Sequence, residues 1–167
     1  MVSRKLHTGV ASFDVPLPLT GPPGIESRVG GAPGNHTLVF TFTHSVTSGS
    51  ASITSGTGSM NGTATVAGNT MTVQLTGVSN AQQIAVTLAG VTDALGQVLP
   101  DKVVSMRVLL GDVNADGAVN SGDAFLTRSY SGQAAPPNNF RADVNTDGSV
   151  NSGDASVVRT ASGTAIP

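Results

Sequence analysis

Asp112-Val113-Asn114-Ala115-Asp116-Gly117-Ala118-Val119-Asn120-Ser121-Gly122-Asp123 and Asp143-Val144-Asn145-Thr146-Asp147-Gly148-Ser149-Val150-Asn151-Ser152-Gly153-Asp154 are one twelve-residue phrase written twice, 31 positions apart. The copies differ only at their fourth and seventh positions. Calcium is a hard cation that takes six to eight oxygens. A twelve-residue loop can supply them from positions 1, 3, 5, 7 (by its carbonyl), 9 (often through water) and 12. The first copy holds Asp112, Asn114, Asp116, Ala118, Asn120 and Asp123 there; the second holds Asp143, Asn145, Asp147, Ser149, Asn151 and Asp154. Position 6 needs a backbone turn that glycine alone takes cheaply, and Gly117 and Gly148 occupy it. Asp, Asn and Gly are also ordinary turn formers. Chance could make one such loop, but not two matched at every ligand position. Three carboxylates per loop repel one another unless a divalent ion sits among them, so the pattern predicts two Ca2+ ions and loose loops without them. Mg2+ fits less well, because it demands octahedral geometry and keeps its waters. The position-8 valines, Val119 and Val150, are expected to pair the loops through a short β-contact.

Each copy runs on into a short helical pattern, Ala124-Phe125-Leu126-Thr127-Arg128 and Ala155-Ser156-Val157-Val158-Arg159, and closes on Ser-Gly, a helix-ending pair. Before Asp112 stands Val103-Val104-Ser105-Met106-Arg107-Val108-Leu109-Leu110, strand-like and too apolar for an exposed helix. Before Asp143 stands Pro136-Pro137-Asn138-Asn139-Phe140, which cannot hold one. Each unit is therefore a loop with an exiting helix and no entering one, and the pair is an internal duplication. Over residues 111–165 this organisation resembles the type I dockerin. The resemblance implies a pseudo-twofold pair of antiparallel helices with calcium at each N-terminus, and a cohesin-like protein module as partner. It also implies a docking surface at loop positions 10 and 11 and on the outer helix faces: Ser121, Gly122 and Arg128 in one copy, Ser152, Gly153 and Arg159 in the other. With a β-domain in front, the whole chain is similar to secreted dockerin-repeat proteins of environmental bacteria.

Upstream of the repeats the texture is that of a sheet. Thr70-Met71-Thr72-Val73-Gln74-Leu75-Thr76 alternates strictly, and Gln83-Ile84-Ala85-Val86-Thr87-Leu88 repeats the pattern. Thr37-Leu38-Val39-Phe40-Thr41-Phe42-Thr43 alternates with Val39 out of phase. A period of two makes strands with one buried and one wet face. Gly68-Asn69, Gly77 and Gly96 supply the turns. Further strands are expected near residues 11–19, 45–54, 61–67 and 98–110. About seven short strands in roughly 100 residues fit an immunoglobulin-like antiparallel β-sandwich. The expected architecture is mainly β: this sandwich over residues 1–110, packed on a small helical calcium-binding domain over residues 111–167. The Pro-rich stretch 16–33 reads as a surface loop or irregular edge. Val108-Leu109-Leu110-Gly111-Asp112 joins the two parts without a flexible spacer, so they are expected to form one rigid unit.

Charge narrows the functions open to such a chain. Only 11% of residues are charged and the formal net charge is −2, which gives no electrostatic case for nucleic acid or an anionic membrane. No apolar run approaches the roughly 18–20 residues of a membrane span. Behind residues 1–5 there is no apolar stretch of a signal peptide. Six of the ten acidic residues lie between Asp112 and Asp154; the others, Asp14, Glu26, Asp93 and Asp101, are scattered and suggest no facing pair for hydrolysis. No nucleophile elbow or phosphate loop occurs, so no enzyme is expected. His36 and His44 would lie roughly 26 Å apart on one strand, too far to share a metal. His7 is isolated, and all three histidines read as surface or half-buried side chains. The reading is a noncatalytic, secreted or cell-surface module for calcium-dependent protein–protein assembly. A second reading is a structural subunit whose copies join head to tail into a calcium-stabilised fibre. A carbohydrate-binding module comes third, disfavoured by five Phe, one Tyr and no Trp.

Overall fold

A computed structural model describes residues 1–29, 34–135 and 138–166. With 42% strand against 12% helix, the protein is mainly β. The strands are β1 (Val2–His7), β2 (Ala11–Pro16), β3 (Ile25–Glu26), β4 (His36–Thr41), β5 (Val46–Ser55), β6 (Ser59–Met60), β7 (Thr65–Ala67), β8 (Thr70–Thr76), β9 (Gln82–Asp93) and β10 (Lys102–Val108). One sheet runs β2-β1-β4-β8-β6, with β7 also on β8, and the other runs β3-β10-β9-β5. Neighbours β1-β4-β8 and β5-β9-β10 reproduce the two half-orders of an immunoglobulin-type sandwich. One pairing departs from the antiparallel expectation: β3 lies parallel to β10.

The alternating faces make the core. Leu38 and Phe40 of β4, Met71, Val73 and Leu75 of β8, Ile84, Val86 and Leu88 of β9, and Val104, Met106 and Val108 of β10 close on one another between the sheets. Burying one such aliphatic side chain is worth about 1.5–3 kcal/mol, so the interleaved faces hold the sandwich together. Val39, out of phase in the sequence, is buried as well. Three strands, β1, β3 and the two-residue β6, lie outside the spans the sequence marked as strands. The inward residues of β1 are Ser3, Lys5 and His7, all buried, so its polar residues are the hidden ones. Residues 30–33 of the Pro-rich stretch and the Pro136-Pro137 pair lie outside the described residues.

Beyond β10 the chain enters the first loop, then α1 (Ser121–Ser129), β11 (Gln133–Ala134), the second loop, β12 (Ser149–Val150) and α2 (Ser152–Ala161). Asn120 and Asn151 are the N-caps, each in a full capping box with Asp123 or Asp154, so position 12 of each loop is also the third helical residue. The valines do not pair the loops with each other. Val150 pairs with Gln133, just past α1, while Val119 accepts from Gly163 N and donates to the Thr164 carbonyl, just past α2. The chain turns back after each helix, so every loop is clasped by the segment leaving the other repeat's helix. A second apolar cluster forms there from Val113, Val119, Ala142, Val144, Val150, Val158 and Ala161, and it also takes in Ile25 and Leu109 from the sandwich side.

Candidate metal centre

Both loops wrap their carboxylates in matching bonds, to which the second adds one from Asn151 Nδ2 to Asp147 at 3.2 Å. Asp112 Oδ1 accepts from Asp116 N at 3.1 Å and Oδ2 from Gly117 N at 2.9 Å. Asp123 accepts from the amides of Asn114 and Asn120 at 3.1 and 2.9 Å. In the second loop Asp143 accepts from Asp147 N and Gly148 N at 3.1 and 2.8 Å, and Asp154 from Asn145 N and Asn151 N at 3.1 and 2.9 Å. Asp116 and Asp147 take the side-chain N–H of Asn114 and Asn145 and the amides of Ala118 and Ser149. The cap residues Asn120 and Asn151 reach back to the Ala118 and Ser149 carbonyls. Gly117 and Gly148 both sit at φ 96°, the left-handed turn that tightens each loop.

The donors suit a hard divalent ion. Asp112, Asp123, Asp143 and Asp154 are all at 0% exposure. Among the described residues, no Lys, Arg or His lies within ion-pair distance of Asp112, Asp116, Asp123, Asp147 or Asp154. Burial, aided by the charges of Asp123 and Asp116, pushes the Asp112 carboxyl above its ordinary range against the amide bonds it accepts. Burial, aided by Asp143 and Asp147, does the same to Asp154. Buried carboxylates without a counter-charge are costly, and a cation coordinated by carboxylate, amide and carbonyl oxygens would remove that cost. Among the described residues, no three His, Cys, Asp or Glu side chains converge to hold a metal by themselves. A shell in either loop would need oxygens beyond these carboxylates, such as side-chain amides and backbone carbonyls.

The surroundings of the loops differ. Two sandwich segments lie on the second loop: in the β1–β2 turn Thr8 N donates to the Thr146 carbonyl at 3.0 Å, and after β3 Val29 N donates to the Val144 carbonyl at 2.8 Å. Thr146 and Gly148 are buried, whereas Ala115 is exposed and Gly117 half-buried. His7 Nδ1 meets Asp143 Oδ2 at 2.6 Å, with both side chains fully buried. This corrects the sequence reading of His7 as a surface or half-buried residue, and Glu26 likewise proves to be in a telling place. Both Glu26 oxygens bind Arg28, through Nε and Nη2 at 2.8 Å each, while Arg28 Nη1 approaches His7 Nε2 at 3.0 Å. Ser3 Oγ donates to Glu26 at 2.6 Å. Burial would raise the Glu26 carboxyl, but the charge and hydrogen bonds of Arg28, the charge of Lys5 and the Ser3 bond outweigh it and hold the group at about 2. Burial lowers Lys5 to about 8, and burial with the positive charge of Lys5 lowers His36 to about 4. Phe13 and Phe140 stack at 5.3 Å, and Arg28 lies 5.1 Å from the Phe140 ring centroid. The period-two spacing of Ser3, Lys5 and His7 was the available signal for a buried polar face; nothing local pointed to Asp143, 136 residues away.

The proposed docking residues fall into two groups. Ser121 and Arg128 of α1 and Ser152 and Arg159 of α2 line one shallow groove of about 380 Å³ between the helices. Gly122 and Gly153 instead face their own loops, where a Cβ would meet the cap oxygens of Asn120 and Asn151 at 3.1 and 3.0 Å. Phe125, on α1, is 71% exposed. His44 is exposed and reaches Asp93 at 3.2 Å, while His36 is buried. No helix is long and apolar enough to cross a membrane, among the described residues.

No curated protein and no solved structure gave a match to the chain. Residues 110–161 match the family model described as the dockerin type I domain. Such domains bind calcium, are noncatalytic, engage cohesin modules and typically belong to extracellular or cell-surface proteins. By that match and by its paired loop-and-helix build, the C-terminal third of this chain is type I dockerin-like.

Proposed function

We propose that the chain is a noncatalytic, extracellular docking module that two calcium ions hold closed. Residues 1–110 form its sandwich domain and residues 111–167 its docking domain. Asp112, Asn114, Asp116, Ala118 and Asp123 bind one ion; Asp143, Asn145, Asp147, Ser149 and Asp154 bind the other. The partner is a cohesin-like protein module, seated on the groove between α1 and α2 and held by Arg128, Arg159, Ser121 and Ser152. The observation that carries the reading is the pair of fully buried carboxylates in the loop before each groove-lining helix, Asp112 with Asp123 and Asp143 with Asp154. An ion that orders the loops thereby orders both helices and the surface they share. Calorimetric titration of a type I cohesin domain into the full chain tests this. Binding is expected in millimolar calcium, lost in EDTA, and lost in Arg128→Glu with Arg159→Glu; no binding in calcium would refute the partner.

A second reading, head-to-tail self-association, has its own support. Leu95, Val98 and Leu99 are 68%, 64% and 39% exposed at the end of β9 and β10 opposite the loops, and Phe125 projects at the other end. A heterologous contact between such ends propagates rather than closes. Sedimentation of the chain alone in calcium separates the readings: a monomer fits the adaptor, and a growing series of oligomers dispersed by Val98→Asp fits the fibre. A carbohydrate role finds little support, because Phe40 is buried and Phe13 is stacked on Phe140.

A further inference from the structure

We propose that His7 is a positioning residue for the second calcium loop: held in one tautomer by Arg28, it donates to Asp143 and fixes that loop on the sandwich, so the second site binds calcium more tightly than the first. This rests on the calcium reading above. A guanidinium has donors and no acceptor. The 3.0 Å approach of Arg28 Nη1 to His7 Nε2 therefore requires a lone pair on that nitrogen. The imidazole proton then sits on Nδ1, aimed at Asp143 Oδ2 2.6 Å away. An imidazole in that form orients the carboxylate without cancelling the charge the ion needs. Arg28 is itself fixed by both Glu26 oxygens and by the Phe13 carbonyl, and Glu26 by Ser3. Ser3, His7, Glu26 and Arg28 are exposed by no more than 1%, so water cannot substitute for any of these bonds.

The first loop is the internal control. Asp112 accepts the same two amide bonds as Asp143, and among the described residues it accepts none from a side chain. Its neighbours Asn114, Ala115 and Asp116 are exposed, whereas the Thr146 carbonyl is bonded to Thr8 and the Thr8 carbonyl presses on Gly148. A ligand set already oriented loses less freedom when the ion arrives. Outer-shell partners of metal ligands are typically worth about 10–100-fold in metal affinity.

The test is calorimetric calcium titration of the chelator-stripped full chain in two backgrounds, Asp112→Ala to isolate the second loop and Asp143→Ala to isolate the first. The second loop is expected to bind more tightly. Adding His7→Phe should weaken it by about 10–100-fold and leave the first loop unchanged. His7→Asn, which offers an N–H close to the place of Nδ1, should restore most of the loss, which packing alone would not explain. If His7→Phe does not fold, His7→Ala removes the donor without adding bulk. Equal effects on both loops, no effect on either, or no rescue by Asn would each overturn the proposal while calcium binding stands. A wild-type chain that takes up no calcium would overturn the calcium reading and this proposal with it.

Discussion

The two loops share ten of twelve residues and the same amide bonds to their buried carboxylates, yet they live in different environments. The first projects from the end of β10, with positions 3, 4 and 5 in solvent. The second is pressed under the β1–β2 turn, its fourth and sixth residues buried and its first carboxylate, Asp143, bound to His7. A local sequence motif thus settles the shape of a loop but not its energetics, which depend on what the rest of the chain lays over it. The sandwich packs on both repeats, but among the described residues it gives a side-chain bond only to the first carboxylate of the second loop.

The largest contrast is expected at the paired glycines. Both sit at φ 96°, so alanine costs about 1–2 kcal/mol at either. At Gly148 a Cβ would also fall 2.1 Å from the Thr8 carbonyl oxygen, while at Gly117 it meets nothing within 4 Å. Gly148→Ala should therefore cost about 1–3 kcal/mol more than Gly117→Ala in urea unfolding, through overpacking. Equal costs would show that the turn does not rest on the second loop.

Acid probes the polar network behind that loop. His36, lowered from 6.5 to about 4 by burial and by Lys5, contributes stability that is present above 6.5 and lost as pH falls through 4. Glu26, held at about 2 against an ordinary 4.5, contributes stability present above 4.5 and lost as pH falls through 2. In both windows the unfolded chain binds the extra proton, so the sign is the same. Asp112 and Asp154, raised by burial, act the other way in chelator, so the melting temperature of wild type minus that of His36→Asn is the profile to read, and it should fall from pH 6.5 to 4. A flat profile between pH 6.5 and 4 would contradict the buried environment of His36.

Asp143→Ala strands His7, whereas Asp112→Ala strands no side-chain donor. In EDTA, where neither loop can hold an ion, Asp143→Ala should be the more destabilising by about 1–3 kcal/mol. The smallest effect is expected at position 4, where Ala115 and Thr146 hold φ 61° and 59°. Ala115→Gly should raise stability by no more than about 1 kcal/mol, since the relieved strain is partly offset by glycine's greater chain entropy.

The pair of matched loop-and-helix units was legible because each turn and cap residue is a local choice of side chain, and β8 was legible because Met71, Val73 and Leu75 alternate without interruption. β1 was hidden because Ser3, Lys5 and His7 face inward, and hydropathy cannot tell a buried polar face from a wet one. The network becomes visible only when β1, residues 26–28 and the second loop meet in space. The clasping of each loop by the other repeat's exit segment was missed for a similar reason. Val119 and Val150 announce a pairing edge, but nothing in them names the partner strand.

A crystal structure of the full chain grown in calcium tests the central claim most directly. Each loop is predicted to hold one strong density peak, with oxygens of its Asp, Asn and position-7 carbonyl groups at about 2.3–2.6 Å. Water alone at the centre of both loops would contradict it.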